Sequence, residues 1–182
     1  MTTMIPELSE AQLNDLPSQA EAKVYRALRD KLPQEYVVFF QVGWILRRED
    51  EQTKDGETDF LVCHPDHGYL CIEVKGGGVG FDAASGEWFS VDRHQQKHRI
   101  NNPIGQALRA KYSIRSKLNE HPRWHDLSLG NVLRGHTVFF PDVGETNILS
   151  RPDMPSPLIG SAKTLLEPKA WVDSAFAYWG ND

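Results

Sequence analysis

Residues 56–76 decide the fold, and they read Gly56-Glu57-Thr58-Asp59-Phe60-Leu61-Val62-Cys63-His64-Pro65-Asp66-His67-Gly68-Tyr69-Leu70-Cys71-Ile72-Glu73-Val74-Lys75-Gly76. Two runs rich in β-branched and aromatic residues flank a His-Pro-Asp-His-Gly loop, which predicts a β-hairpin. Asp59 then begins the first strand, while Glu73 and Lys75 end the second. A turn centred on Asp66 or His67 pairs odd positions with odd. Because strand side chains alternate between faces, Asp59 would share one face with Glu73 and Lys75.

Two ionised carboxylates that lie close together repel each other unless a cation binds between them. At a separation of about 4 to 5 Å they repel by roughly 3 to 4 kcal/mol at an effective dielectric near 20. Carboxylates, a backbone carbonyl and waters are the oxygen ligands that Mg²⁺ prefers, and the Val74 carbonyl is a further candidate ligand. The Lys75 ammonium would hold a phosphate oxygen or orient an attacking water. The pattern therefore predicts a metal site with Asp59, Glu73 and Val74 as ligands.

The simpler interpretation of Glu73 and Lys75 is a solvated charged pair. Glu-x-Lys is common by chance, and such a pair on an exposed strand contributes little to stability. The two strands are otherwise apolar, however, and charged residues are rare on buried strands without a partner. The preceding Gly-Glu-Thr-Asp motif at hairpin distance favours the functional interpretation.

Composition is that of an ordinary globular domain. The chain has 182 residues, of which 40% are hydrophobic and 25% charged, with a formal net charge of -5. No apolar run reaches the length of a membrane span, and residues 1–9 lack the features of a signal peptide. Cys63 and Cys71 are best interpreted as reduced, buried small residues. We therefore expect a cytoplasmic protein with no membrane partner.

The net negative charge hides a basic segment. Eight cationic residues stand against a single acid, Glu120, between positions 93 and 123: Arg93, Lys97, Arg99, Arg109, Lys111, Arg115, Lys117 and Arg123. A basic stretch that follows a candidate Mg²⁺ site is typical of contact with a nucleic-acid backbone. The alternative is a solvated helix face. We expect the nucleic-acid contacts at Lys97, Arg99, Arg109, Lys111, Arg115 and Lys117.

A first helix is predicted from Ser18, because Ser18-Gln19-Ala20-Glu21 has the form of a capping box and apolar residues follow at helical spacing up to Pro33. Glu21 has two interpretations. Its carboxylate would cap the Ser18 amide, or it would face inward and join the metal site, since an inward carboxylate needs a cation or a donor. The spacing alone leaves both open.

The remaining chain alternates strands and helices. We expect residues 1–16 to be irregular, residues 36–42 to form a strand and residues 43–55 to form a polar connection. A short strand follows at 87–91, and a second helix begins at Asn102-Pro103 with Ile104, Leu108, Ile114 and Leu118 on its apolar side. A last strand lies within 134–140. Residues 150–160 are predicted to be a connection, and residues 167–179 an amphipathic helix.

The order of these elements and motifs resembles the PD-(D/E)XK nuclease superfamily, and more narrowly the nuclease-related domain family known as NERD. The matching motifs are Ser18-Gln-Ala-Glu21, Gly56-Glu-Thr-Asp59, Gly68-Tyr-Leu-Cys-Ile-Glu73-Val-Lys75-Gly76 and Asn102-Pro-Ile-Gly-Gln106. Together they span most of residues 18–140. Thr58 stands where the superfamily motif has proline, a position without metal chemistry.

The resemblance implies an α/β fold with a mixed central sheet flanked by helices, as in restriction endonucleases. It implies Asp59 and Glu73 as metal ligands, Glu21 as a further ligand or outer acid, Lys75 as the residue that positions the nucleophilic water, and Gln106 as a contact near the substrate. We expect an extension at 1–17, a nuclease-like domain at 18–149, and a connection and helix at 150–182 that leads to a further domain. Fusion to, or association with, a helicase is a family expectation.

Two functional hypotheses follow. The first is a nuclease that uses Mg²⁺, or Mn²⁺ in its place, to hydrolyse phosphodiester bonds, with DNA favoured over RNA. The second is a catalytically inactive module that binds nucleic acid or docks within a larger DNA-processing protein. Salt-sensitive binding without metal-dependent cleavage would distinguish the second from the first.

Overall fold

The computed structural model describes residues 2–48, 51–92, 94–126 and 132–180. A central mixed sheet has six strands in the order β1-β2-β3-β4-β8-β9, and a smaller antiparallel sheet has the order β5-β6-β7. The strands are β1 (Thr3–Ile5), β2 (Val37–Arg48), β3 (Glu51–His64), β4 (Gly68–Val74), β5 (Gly78–Asp82), β6 (Glu87–Val91), β7 (Lys97–Ile100), β8 (Arg134–Phe140) and β9 (Ile159–Ser161).

Helices cover both faces of the central sheet. They are α1 (Glu10–Asn14), α2 (Gln19–Lys31), α3 (Pro103–Asn119), α4 (Pro122–Asp126) and α5 (Pro168–Gly180). One face of the sheet packs with α2 and α5 in the main core, and the other packs under α3 around Tyr69, Cys71 and Ile114. The expected mixed sheet flanked by helices is confirmed. No helix in these ranges is long and apolar enough to cross a membrane.

The central hairpin has the predicted register. β3 and β4 pair Phe60 with Ile72 and His64 with Gly68, so the turn is centred on Asp66. β4 then continues into a parallel pair with β8, in which Glu73 lies opposite Val138. This parallel pairing places the carboxyl ends of β4 and β8 at the same edge of the sheet.

Several expectations about the N-terminal half were wrong. Residues 1–16 contain β1 and the capped helix α1. Residues 43–48 and 51–55 are not a loop, because β2 and β3 continue as a long antiparallel pair in which Gly43 lies opposite Glu57 and Ile45 opposite Asp55. Main-chain hydrogen bonds hold these strands together although their sequence lacks the apolar alternation that would predict a strand.

Later elements also differ in detail. The predicted strand at 87–91 is confirmed as β6, but it pairs with two strands that were not predicted, β5 and β7. Leu108 was expected on the apolar side of α3, yet it is 37% exposed, and the buried side includes Ala107 and Ala110 instead. The segment 150–160 ends in β9, which pairs with β8. The strand at 134–140 and the final helix are confirmed.

Both chain ends contribute to the central sheet and its core. β1 extends the sheet beside β2, and β9 extends it on the opposite edge beside β8. Trp171, Val172, Ala175 and Phe176 of α5 are buried in the main core. The core beneath the candidate site therefore depends on residues from the whole chain.

Candidate active site

Asp59 and Glu73 lie side by side at the end of the central hairpin. The next step of the β3–β4 register beyond Phe60 and Ile72 brings these two positions opposite each other. Asp59 lies within β3, and its Oδ2 accepts a hydrogen bond from the Val74 amide at 2.6 Å, which fixes its carboxylate beside the end of β4. Glu73 is only 3% exposed. Two carboxylates from adjacent strands are therefore held close together and largely away from water.

Ionisation of both Asp59 and Glu73 is electrostatically unfavourable in this site. Burial, and next the negative charge of Glu73, raises the pKa of Asp59 to about 7. Burial also raises the pKa of Glu73, although the nearby Lys75 opposes that change. The site therefore has an excess of negative charge that a cation would relieve.

Lys75 supplies part of that positive charge. Its Nζ lies 2.6 Å from Glu73 Oε1, and both residues project from the same face at the end of β4. The Lys75 side chain remains about a quarter exposed, whereas that of Glu73 is almost fully enclosed. The Lys75 ammonium therefore contacts the buried Glu73 carboxylate while its side chain remains accessible to solvent.

A cleft of about 480 Å³ adjoins Lys75, and Arg99, Ile100, Asn101 and Gln106 complete its lining. Gln106 comes from the first turns of α3, which the Asn102 side chain caps by accepting from the Gly105 amide. Gln106 Oε1 is buried and has no hydrogen-bond partner among the residues that the structure describes. An unsatisfied buried amide oxygen in a cleft beside the lysine is available to contact a ligand.

Glu21 approaches the same site from α2. Its main-chain amide donates to Ser18 Oγ at 3.3 Å, whereas its carboxylate accepts from Gln41 Nε2 at 3.0 Å. The negative charge of Glu21 contributes to the raised pKa of both Asp59 and Glu73. Glu21 therefore belongs to the acidic neighbourhood, while its role as a metal ligand stays a prediction.

Gln41 is a site residue that the sequence interpretation missed. It lies in β2 at the position opposite Asp59, between the pairs Phe40–Phe60 and Val42–Thr58. Its φ of 51° is in the left-handed region, which is strained for a residue with a side chain. A single polar residue inside the apolar run 37–42 was the available signal.

Asp142 is a second residue that was missed. Its Oδ2 accepts from the Gly77 amide at 2.8 Å, and its other oxygen pairs with Lys23 of α2. Asp142 follows β8, whose carboxyl end lies at the same edge as that of β4. It therefore joins the glycine-rich segment after Lys75 to the helix that carries Glu21.

Thr58, which stands in the proline position of the superfamily motif, has a structural role. Its side chain is fully buried, and its hydroxyl lies 3.4 Å from the Ile72 carbonyl oxygen and 3.3 Å from that of Phe60. These contacts join the two hairpin strands one residue before Asp59. Thr58 therefore supports the strand pair that carries the two acids.

The donor set suits a hard cation that keeps several waters. In the described ranges, no group of three or more His, Cys, Asp or Glu side chains is arranged to hold a metal ion. Mg²⁺ is commonly bound by only one or two carboxylates, with water and substrate oxygens completing its shell. Asp59 and Glu73 supply that number of carboxylates. The residues present thus fit the ion that the sequence motif implies.

The expected nucleic-acid contacts do not form one surface. Lys97 and Arg99 lie on β7 near the cleft, where Lys97 Nζ is 3.7 Å from the centre of the Phe89 ring and Arg99 pairs with Glu87. Arg109 is exposed on α3. Lys117 pairs with Glu120 at 2.8 Å. Lys111 and Arg115 line a separate cavity with Trp179, and Arg93 lies outside the described residues.

Comparison with known proteins identifies the family. No significant match to the chain was found among curated proteins or among solved structures. The nuclease-related domain family, NERD, matches residues 17–140. That range contains the acidic pair, Lys75 and Gln106, together with most of the central sheet. The resemblance seen in the sequence motifs is confirmed, and the chain belongs to the NERD family of nuclease-related domains.

Proposed function

We propose that this chain is a Mg²⁺-dependent nuclease that hydrolyses phosphodiester bonds in nucleic acid, with DNA favoured over RNA. The observation that carries the proposal is the convergence of Asp59 and Glu73 with Lys75, which lines the same cleft as Gln106. Mn²⁺ has similar oxygen-ligand preferences and is the expected substitute. Free Cys63 and Cys71 favour the cytoplasm as the place of action.

Asp59 and Glu73 would hold the ion, with the Val74 carbonyl as the candidate third protein ligand and Glu21 as an outer acid. The bound ion supplies Lewis-acid polarisation of the scissile phosphate and lowers the pKa of a coordinated water. The chain's own residues must position the substrate for this chemistry. The fixed hydrogen bond from Val74 to Asp59 keeps one carboxylate in place without further reorganisation.

Lys75 has two tasks that its position allows. While it donates to Glu73 Oε1, its ammonium retains further N–H donors that can orient the attacking water or contact a phosphate oxygen. Positive charge at this place stabilises the negative charge that develops on the phosphate during hydrolysis. Gln106, which lines the same cleft, would contact the substrate through its side-chain amide.

Contacts with the phosphate backbone of the nucleic acid would come mainly from cationic side chains near the cleft. Arg99 lines the cleft and is largely exposed, and Lys97 lies two residues before it on β7. Such cations neutralise phosphates without reading base sequence. The substrate would therefore be bound with little sequence preference, and binding would weaken as salt concentration rises.

A cleavage assay tests the proposal. Labelled single-stranded DNA, duplex DNA and RNA are incubated with the protein in Mg²⁺, in Mn²⁺ or in EDTA. We expect metal-dependent cleavage that Asp59→Asn, Glu73→Gln and Lys75→Ala each lower by at least about 100-fold. Asp66→Asn is the matched control, because this exposed carboxylate lies at the far end of the same hairpin.

The alternative function predicts a different result. An inactive binding or docking module would bind nucleic acid in a salt-sensitive way but would not cleave it with either metal. Circular dichroism must first show that each variant is folded. Equal cleavage by native protein and folded Glu73→Gln would contradict the assignment of the site.

A further inference from the structure

A second cavity, of about 510 Å³, lies at the opposite end of α3 from Gln106. Its lining comes from the second half of α3, the start of β8 and the end of α5, and comprises Lys111, Tyr112, Arg115, Val132, Leu133, Arg134, Trp179 and Gly180. Trp179 and Gly180 lie beyond residues 17–140, the range of the family match. The cavity is therefore formed jointly by the family domain and the helix that follows it.

The charged residues in the described lining of this cavity are all positive. They are Lys111, Arg115 and Arg134, and no acidic residue of the described ranges is among the lining residues. The whole chain has a net charge of -5, whereas these three cationic residues make the cavity locally positive. A concave site lined by one sign of charge concentrates ligands of the opposite sign. The ligand of this cavity should therefore be an anion.

The aromatic side chains in the lining indicate which class of anion the cavity would bind. Tyr112 is 55% exposed, which is unusual for a large ring, and Lys111 Nζ lies 5.1 Å from its centre. Trp179 forms a fixed wall, because its Nε1 donates to the His136 carbonyl oxygen and Lys111 Nζ lies 4.4 Å from its ring. An exposed ring beside cations is the combination that binds single-stranded nucleic acid, in which bases stack on aromatic rings and cations contact phosphates.

We propose that the cavity lined by Lys111, Tyr112, Arg115, Arg134 and Trp179 binds an unpaired segment of the nucleic acid that the candidate active site would cleave. Tyr112 would stack on one base, and Arg115, Lys111 and Arg134 would contact the adjoining phosphates. A base inside a duplex has both faces stacked and is not available to Tyr112. The preferred substrate therefore carries a single-stranded region.

The two sites lie on one helix, so one strand can contact both. Gln106 and Arg115 are nine residues apart on α3, which corresponds to about 14 Å along the helix axis and about half a turn around it. A strand that contacts both residues must pass round the helix, so at about 3.4 Å per nucleotide it needs more than the roughly four nucleotides that the axial distance alone requires. Both cavities are next to α3, the helix that packs on the sheet face carrying Glu73. The inference rests on the proposed nuclease function for its substrate, but binding can be measured without cleavage.

The test is fluorescence anisotropy in EDTA with a labelled oligothymidine of about 12 nucleotides and with a blunt duplex of the same length. We expect Tyr112→Ala to weaken binding of the single strand at least about fivefold, the lower end of the effect of losing one stacked base. Tyr112→Phe keeps the ring and should retain binding. Arg115→Ala should weaken binding and lower the salt dependence of the association constant by about one unit of slope.

Lys163→Ala is the charge control, since this lysine is 71% exposed and is not among the cavity residues. Photo-cross-linking of an oligonucleotide that carries 4-thiothymidine should label Tyr112 or Trp179. Full binding by Tyr112→Ala and Arg115→Ala would overturn this site even if the protein proves to be a nuclease. Displacement of the oligonucleotide by polyglutamate of equal charge would also overturn it, because a peptide lacks bases to stack.

The binding assay separates this inference from the proposed function. Loss of cleavage in Glu73→Gln with unchanged oligonucleotide binding supports both proposals. Binding that depends on Tyr112 in a protein without nuclease activity would support the cavity and contradict the nuclease. A preference for the blunt duplex over the single strand would contradict the unpaired segment.

Discussion

Lys75 Nζ lies 2.6 Å from Glu73 Oε1, two residues earlier on the same strand, and it partly offsets the effect of burial on the Glu73 carboxylate. The Glu73 side chain is 4% exposed, so this carboxylate has little access to compensating water. A charge in such a place is costly when its partner is removed. The pair is therefore expected to affect stability as well as chemistry.

The first prediction is that Lys75→Met lowers the free energy of unfolding in EDTA by roughly 1–3 kcal/mol, because it leaves Glu73 without its cation. Adding Glu73→Gln should restore most of that loss, since the double variant contains no unpaired buried charge. Urea unfolding of the native protein, both single variants and the double variant gives the coupling energy. The exposed pair Lys163–Glu145 is the control, with an expected coupling below about 1 kcal/mol. Equal coupling in the two pairs would contradict the prediction.

The second prediction concerns Asp59. In EDTA at pH 8, Asp59→Asn should unfold at a higher temperature than the native protein, because it removes one of two repelling buried carboxylates. Mg²⁺ at about ten times its Kd should raise the native melting temperature by roughly 3 to 6 °C. The same Mg²⁺ should have little effect on Asp59→Asn, and Asp66→Asn should behave like the native protein. A Mg²⁺ shift that is the same in all three proteins would exclude Asp59 as a ligand.

The central hairpin and the acidic pair could be predicted from the sequence because the information is local. Strand side chains alternate strictly, so a turn centred on Asp66 is enough to place Asp59 on the face of Glu73. The motif at Asn102-Pro103 likewise predicts where α3 begins, because a cap and a first-turn proline act within one helical turn.

Contacts between residues far apart in the chain could not be predicted from the sequence in this way. The second cavity requires Trp179 of α5 to pack at the start of β8, some 45 residues earlier in the chain, and no local pattern specifies that contact. The length of the β2–β3 pair was missed because main-chain hydrogen bonds can extend a strand pair where the sequence has no apolar alternation. The Glu21 carboxylate binds Gln41 rather than its own helix end, which depends on how α2 meets β2.

The third prediction concerns Gln41, which we expect to position Glu21 at the cost of backbone strain. Gln41→Gly removes the strain of a left-handed conformation and should leave the free energy of unfolding unchanged or raise it by about 1 kcal/mol. The same change frees the Glu21 carboxylate, so nuclease activity should fall at least severalfold. A variant that is more stable but less active would not result from simple loss of structure.

Gln95→Gly is the matched control for Gln41→Gly. Gln95 has a φ of 63° and lies in a turn, where its amide donates to the Asp92 carbonyl oxygen. Replacing it with glycine should give a similar gain in stability without a change in activity. Thermal unfolding and initial cleavage rates are measured for both variants. Equal activity in the two variants would show that Gln41 does not position Glu21.

The last prediction is a pH dependence that originates at His136 on β8. This residue is 4% exposed, its ring lies 4.7 Å from that of Trp179, and within the described part of the chain its Nδ1 has no hydrogen-bond partner. Burial, and next the positive charge of Lys111, lowers the pKa of His136 to about 4, while Asp153 opposes the change. The folded protein thus resists protonation of His136 at a pH where the unfolded chain accepts a proton.

The sign of the effect follows from this difference in proton binding. Above about pH 6.5 the His136 ring is neutral in both states, so its contribution to stability is complete. As the pH falls from about 6.5 to 4, the unfolded state gains a proton that the folded state excludes, and His136 lowers stability by up to about 1.4 kcal/mol per pH unit. The raised pKa values of Asp59 and Glu73 act in the opposite direction. The contribution of His136 must therefore be isolated by comparing variants.

Urea unfolding at pH 7.5, 6.0 and 5.0 makes that comparison. His136→Phe keeps a ring against Trp179 but cannot be protonated, so its stability should fall less between pH 7.5 and 5.0 than that of the native protein. His121→Asn is the control, because it removes an exposed histidine and leaves the buried one in place. The carboxylates of the candidate active site are present in all three proteins, so their contribution cancels in the difference. If His136→Phe and the native protein have the same pH dependence, His136 is already free to accept a proton in the folded state.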